Sequence, residues 1–250
     1  MFTKVKTDVE IENMRIAGKM LATVLQHVKN RATAGMSTKD LANRAAAELK
    51  TLGGAPSFLN YNGFPDVLCV SVNDEVVHGI PSEINILEDG DIVSIDFGVT
   101  YKGMVTDGAL TFSIGNVDPK AAKLVAITER SLMAGIDVLK DGVRVGDIAN
   151  AIQKVLDAEH YGIVRDLVGH GVGHELHEDP NIPNYGHAGS GPVLKAGMTI
   201  AIEPMATLGG YNVVMDDDNW TIRTKDHSLA AHFEHTVLIT EKGYEILTVL

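Results

Sequence analysis

The chain has 250 residues, 45% of them apolar, and a net charge of −12. That length suits one large domain or two small ones, and the acidic balance argues against a nucleic-acid binder. No apolar run approaches the roughly 20 residues of a membrane span, "MFTKVKTDVEIENM" lacks the apolar core of a secretion signal, and the single Cys69 leaves no internal disulfide or Cys-rich zinc finger, so a cytoplasmic location is expected.

In chain order, Thr7 with Glu10 reads as a capping box. Met14, Ala17, Leu21, Val24, Leu25 and Val28 then keep a helical stripe. Ser37 caps a second helix that Gly53-Gly54 ends. "VLCVSV", "DIVSIDFGV" and "VTDGALTFSI" are β-rich. Pro119 sits where a first helical turn tolerates it, opening a helix to about Lys140. Another helix runs to about Ala158, and "IVRDLV", "MTIAIEPM" and "HTVLIT" are β-rich again.

This helix, helix, strands pattern occurs twice at one offset. Adding 107 carries Gly35 to Gly142, Asp40 to Asp147, Asn43 to Asn150 and Leu49 to Leu156. It also carries Leu87 to Leu194, Gly90 to Gly197 and Asp96 to Glu203, so that "LEDGDIVSID" matches "LKAGMTIAIE", acid on acid. A register kept over some sixty residues argues for a duplicated half. Two halves about a pseudo-two-fold axis would bring Asp96 and Glu203 together, which is unfavourable unless a cation or proton lies between them.

"LVGHGVGHELHEDP", residues 167–180, holds His170, His174 and His177. It is no zinc-protease helix: that motif spaces two histidines by four, whereas His174 and His177 are three apart. Gly169, Gly171 and Gly173 also disfavour a helix. The stretch reads as a strand opening into a loop. His170 and His177 can share a site only if the chain turns between them.

Taken singly, Asp96 and Asp107 could each be a solvated turn residue. Glu203, before Pro204, and Glu234, in "AAHFEHTVLIT", lie in apolar strands where an unpartnered acid is costly. Together with a His-Gly strand end they form a metal constellation. One histidine with four carboxylates suits Mn²⁺, Fe²⁺, Co²⁺ or Zn²⁺, and four carboxylates match two ions better than one.

"SVNDEVVHGIP", "DIVSIDFGV", "GMVTDGALTF", "GHGVGHELHEDP", "GMTIAIEPM" and "DDDNWTIRTKDHSLAAHFEHTVLIT", in this order, make the chain closely similar to the type I methionine aminopeptidases, from about Thr7 to Leu247. The resemblance implies a single α+β pita-bread domain over 1–250. Its two pseudo-two-fold related halves, about 7–113 and 114–240, would pack helices on a curved, mainly antiparallel sheet. Asp96, Asp107, His170, Glu203 and Glu234 would bind two divalent ions, with Asp107 and Glu234 bridging. His78 and His177 would contact substrate without binding metal, leaving His174 a bystander. Tyr61, Phe64, Cys69, Leu176 and Trp220 would line the methionine pocket, with Phe58 at its edge. Some family members carry an aromatic residue at the position of Leu176 and Cys at that of Phe58, so pocket shape is where this chain departs.

The implied activity is removal of N-terminal methionine from nascent polypeptides whose second residue is small, by attack of a dimetal-activated hydroxide on the first peptide carbonyl. Glu203 would carry the proton to the leaving amine. A monomer acting on nascent-chain N-termini is expected, with the ribosome surface as a further contact and no nucleic-acid or membrane partner. Two rivals share the fold. Xaa-Pro peptidases usually carry an extra N-terminal domain and lack "SVNDEVVHGIP" as it stands here. Non-enzymatic binding modules lose metal ligands, and all five residues are kept here.

Overall fold

The structure, a computed structural model, describes residues 5–250. The first half contains α1 (Asp8–Lys29), α2 (Thr38–Leu52), β1 (Ala55–Pro56), β2 (Cys69–Val72), β3 (Glu75–Val77), β4 (Ile92–Tyr101) and β5 (Met104–Ser113). In the second, α3 (Pro119–Asp137), α4 (Val145–Asp157), β6 (Gly162–Ile163), β7 (Gly169–Gly171), β8 (Glu178–Ile182) and β9 (Thr199–Ile202) come first. Then follow β10 (Met205–Thr207), β11 (Val213–Met215), β12 (Ile222–Thr224), β13 (Ala230–His232), β14 (Glu234–Ile239) and β15 (Tyr244–Ile246).

The capping box at Thr7 and the cap at Ser37 form as expected, the latter as a second box with Asp40, and Gly53, in the left-handed region, ends α2. Three expectations need trimming. The helix from Pro119 stops at Asp137, short of Lys140. "VLCVSV" is strand only from Cys69. "IVRDLV" is strand only at Ile163, because Val164 donates to the Met205 carbonyl at the end of that ladder and the chain then leaves it. Beyond it, the Arg165 guanidinium stacks on Tyr211 and Tyr185.

The main sheet runs β1-β4-β5-β14-β9-β7-β8, with β2 added on β4 and β15 on β14. Its pairings are antiparallel. Alternation divides it into two faces. Val93, Ile95, Phe97 and Val99 of β4 pack under Leu21 and Val24 of α1 and Leu41 and Leu49 of α2. Ile200, Ile202, Val237 and Ile239 pack under Leu124 and Leu132 of α3 and Ile148 and Ile152 of α4. Each half thus seals one sheet face with its own helix pair, the pita-bread arrangement. The opposite face carries the site. Two small sheets, β13-β10-β6 and β11-β12-β3, complete the fold.

The offset of 107 recurs in the backbone. Ser37 bridges Ile86 as Arg144 bridges Val193. Gly35 N–H donates to the Leu87 carbonyl as Gly142 N–H donates to that of Leu194. Asp40 accepts from Ser37 N–H as Asp147 accepts from Arg144 N–H. No helix among the described residues is long and apolar enough to cross a membrane.

Candidate metal centre and substrate cavity

Strand register accounts for the assembly of the acids. Asp96 on β4 is paired with Ala109 on β5, and Ala109 with Glu234 on β14. Directly paired residues share a face, so Asp96 and Glu234 project on the same side, joined by Asp107 two residues before Ala109. His170 on β7 pairs Ala201 on β9, and Ala201 pairs Thr236, two residues after Glu234. His170 therefore joins the same face, as does Glu203, two residues past Ala201. All five line one cavity of about 180 Å³.

A ring nitrogen of His170 and one carboxylate oxygen each from Asp107 and Glu234 lie within 4.8 Å of one another. His170 Nε2 is 3.8 Å from Asp107 Oδ2 and 3.5 Å from Glu203 Oε1. His170 Nδ1 lies 2.9 Å from the Gly171 carbonyl and so carries the proton, leaving the Nε2 lone pair for the cavity. Gly169 permits this placement: a Cβ there would lie 2.4 Å from the Ala201 carbonyl oxygen.

Four carboxyl groups meet here, those of Asp96, Asp107 and Glu234 buried and that of Glu203 largely so, and among the described residues neither lysine nor arginine lines the cavity. Burial pushes the Asp96 carboxyl up to about 7, opposed by its hydrogen bond with Asp107. Burial first, and the neighbouring carboxylates second, hold Asp107, Glu203 and Glu234 well above the usual range. Burial holds His170 down to about 3. Asp96 Oδ1 and Glu234 Oε1 are buried with no hydrogen-bond partner among the described residues. Converging like charges, orphaned oxygens and a neutral imidazole lone pair form a donor set that fits divalent cations.

The chain does turn between His170 and His177: their ring centroids are 4.3 Å apart. His170 is buried, whereas His177 is exposed at the mouth, its Nδ1 2.8 Å from the Tyr61 hydroxyl. His174 points elsewhere, with Nε2 2.8 Å from Glu10 on α1. His78 follows β3 with φ +59°, in the left-handed region. The following Gly79 presses on β2, where a Cβ would lie 2.2 Å from the Val70 carbonyl oxygen. Burial, and then His177, hold His78 down to about 4.

Trp220 stands edge-on to Phe64 at 5.2 Å and to His78 at 6.4 Å. Arg223 on β12 sets this wall by bonding Asp74, Glu75 at 3.0 Å and Asp216 at 2.9 Å, which ties β12 to β3. Phe58, Tyr61, Phe64, Cys69, Leu176 and Trp220 all line the cavity beside the acids. Sequence reasoning missed Asn62, which also lines it, and Asn184, whose amide donates to the Glu203 carbonyl at 3.0 Å. It also missed His232, 3.8 Å from Glu203. Alternation from Glu234 was an available signal for His232; nothing local marks the two asparagines.

A sequence model of metallopeptidase family M24 matches residues 12–241. The methionine aminopeptidase of Clostridium acetobutylicum is 46% identical over 244 residues, 98% of each chain. The chain belongs to the methionine aminopeptidases of this family. Methionine aminopeptidase 1 of Bacillus subtilis is 47% identical over 97% of this chain and 98% of its own. The crystal structure of the methionine aminopeptidase from Thermotoga maritima superposes with a TM-score of 0.98 at 45% identity, covering 100% of both chains. Like its family, the chain is a peptide hydrolase, a methionyl aminopeptidase.

Proposed function

We propose that this methionine aminopeptidase depends on two divalent ions and removes methionine from N-terminal peptides of nascent chains when the second residue is small. One observation carries the reading: four carboxyl groups, three of them buried, and one neutral histidine converge on one sheet face, with no lysine or arginine among the described residues lining their cavity. Asp96, Asp107, His170, Glu203 and Glu234 would hold the ions, with Asp107 and Glu234 shared; Mn²⁺, Fe²⁺, Co²⁺ and Zn²⁺ all suit such donors. Bound there, such ions lower the pKa of water and polarise a carbonyl.

The residues supply the rest. Water attacks the carbonyl between the first and second residues. Glu203 takes its proton and delivers it to the leaving amine nitrogen as the C–N bond breaks. With the Tyr61 hydroxyl, 2.8 Å from His177 Nδ1, acting as the donor of that pair, the Nε2–H is left to donate to the tetrahedral oxygen. His78, neutral through burial, donates toward the scissile amide. The methionine side chain lies against Tyr61, Phe64, Cys69, Leu176 and Trp220, with Phe58 at the edge. A second side chain would meet the mouth walled by His78 and His177, and only a small one fits.

The test is to assay metal-free protein, reconstituted separately with each of the four ions, on Met-Ala-Ser, Met-Phe-Ser and Ala-Pro peptides. Metal-restored cleavage of Met-Ala-Ser alone is expected. Metal-independent cleavage, or preference for the Ala-Pro peptide, overturns the reading.

A further inference from the structure

One buried imidazole has no part in that scheme. His232 ends β13 with 1% of its surface exposed, and neither ring nitrogen has a hydrogen-bond partner among the described residues. Buried polar side chains are paired in the large majority, so an orphan calls for a cause. Its backbone is pinned. The N–H donates to Thr111 Oγ1 at 2.9 Å, the carbonyl accepts from the same hydroxyl at 2.7 Å, and the residue pairs Met205 across the ladder. The point from which the ring is presented is therefore fixed.

There, His232 Nε2 is 3.8 Å from Glu203 Oε2. The other Glu203 oxygen, Oε1, faces His170 Nε2 at 3.5 Å. Asn184 anchors the Glu203 backbone carbonyl. The carboxylate thus stands between two imidazoles. A neutral imidazole has one N–H to give.

We propose that His232 is a positioning residue for Glu203: its Nε2–H donates to Oε2 and sets the plane of the carboxylate. A shift of about 0.6 Å brings the pair within N–H···O range. One oxygen of Glu203 is then turned to His232, while the other serves the ions and the proton. The assignment rests on the function proposed above for Glu203. Partners of ligating carboxylates typically change metal affinity or activity by 10–100-fold when removed.

The experiment compares wild type with His232→Leu and His232→Gln. Metal-free protein is titrated with Mn²⁺ by calorimetry, and kcat and KM on Met-Ala-Ser are measured at saturating Mn²⁺. His232→Leu should bind Mn²⁺ about 10–100-fold more weakly and lose kcat to a similar degree, with KM changed less than about twofold. His232→Gln, whose amide reaches the Nε2 position, should recover both to within about threefold of wild type. Should the Leu variant fail to fold, His232→Asn, with an amide too short to reach, takes its place with the same expectation. Unchanged affinity and kcat in the Leu variant overturn the assignment. So does equal loss in the Leu and Gln variants, which marks packing alone. A wild type that neither binds Mn²⁺ nor cleaves overturns the proposed function and this inference together. An active, metal-binding wild type with indifferent variants overturns only the inference.

Discussion

Replacing Asp107 by Asn removes one negative charge and half of a bidentate acceptor while keeping the side-chain volume. Asp107 is 4% exposed, and one of its oxygens already accepts from Gly108 N–H at 3.0 Å. The other faces His170 and Glu234. An amide there offers one oxygen and turns a positive N–H edge to its neighbours, so it cannot serve two cations. At a free ion concentration 100 times Kd, one bound ion stabilises the wild type by about 2.7 kcal/mol. For a chain of this size that is about 5–11 °C in Tm. Thermal melts of metal-free protein with and without Mn²⁺ should show that rise in the wild type and less than about 2 °C in Asp107→Asn. The metal-free variant should melt no lower than metal-free wild type, because one of four crowded carboxyl groups is gone. kcat/KM on Met-Ala-Ser should fall about a hundredfold or more. Two ions per chain by metal analysis together with full activity would refute the shared-ligand role.

Glu203→Gln should lose kcat far more than substrate affinity; metal content that falls in step with kcat would reduce Glu203 to a ligand. His177→Ala should lower kcat by roughly 10²-fold, as for loss of one oxyanion donor, whereas His174→Ala, whose ring meets Glu10 outside the cavity, should change kcat little; equal effects would contradict the division among these histidines. Burial holds His235 down to about 4, so between about 4 and 6.5 the unfolded chain takes a proton that the folded chain refuses, and stability falls with pH across that window. The Tm of His235→Gln relative to wild type, followed by calorimetry, should therefore grow as pH drops from 6.5 to 4; a constant difference contradicts this. Finally, the specificity proposed above would have Met1 retained before the large Phe2: both lie outside the described residues, and intact mass of native protein beside Phe2→Ala decides it, a native chain lighter by one methionine being the contrary result.

Much of the fold is local enough to read along the chain. The capping box at Thr7, the cap at Ser37, the stripe from Met14 to Val28 and Pro119 at a helix start depend on contacts within one or two turns. So do the long strands around Asp96 and Asp107, where alternation is clean. The short strands Glu75–Val77, Val213–Met215 and Ile222–Thr224 were missed because three residues carry no usable period and their pairing partners are remote in sequence. "IVRDLV" had strand composition but lost its ladder to the turn after Ile163.

The site divides in the same way. Residue types marked the four acids Asp96, Asp107, Glu203 and Glu234 as a set, because acids in apolar strands are costly, whereas His170 was picked out among three histidines by the family resemblance. That these five share one face was not local information. It rests on the pairings Asp96–Ala109–Glu234 and His170–Ala201–Thr236, and a slip of one residue in either row would turn its acids or its histidine toward the helices. Nor could spacing separate His177 from His174, three residues apart: the loop after β7 folds one ring over His170 and sends the other to Glu10 on α1. Types and periods along the chain act over a few residues and reveal which groups are costly to bury. Only the packed sheet, whose pairings reach from Asp96–Ala109 nearby to Ala109–Glu234 across the two halves, decides which of those groups face one another.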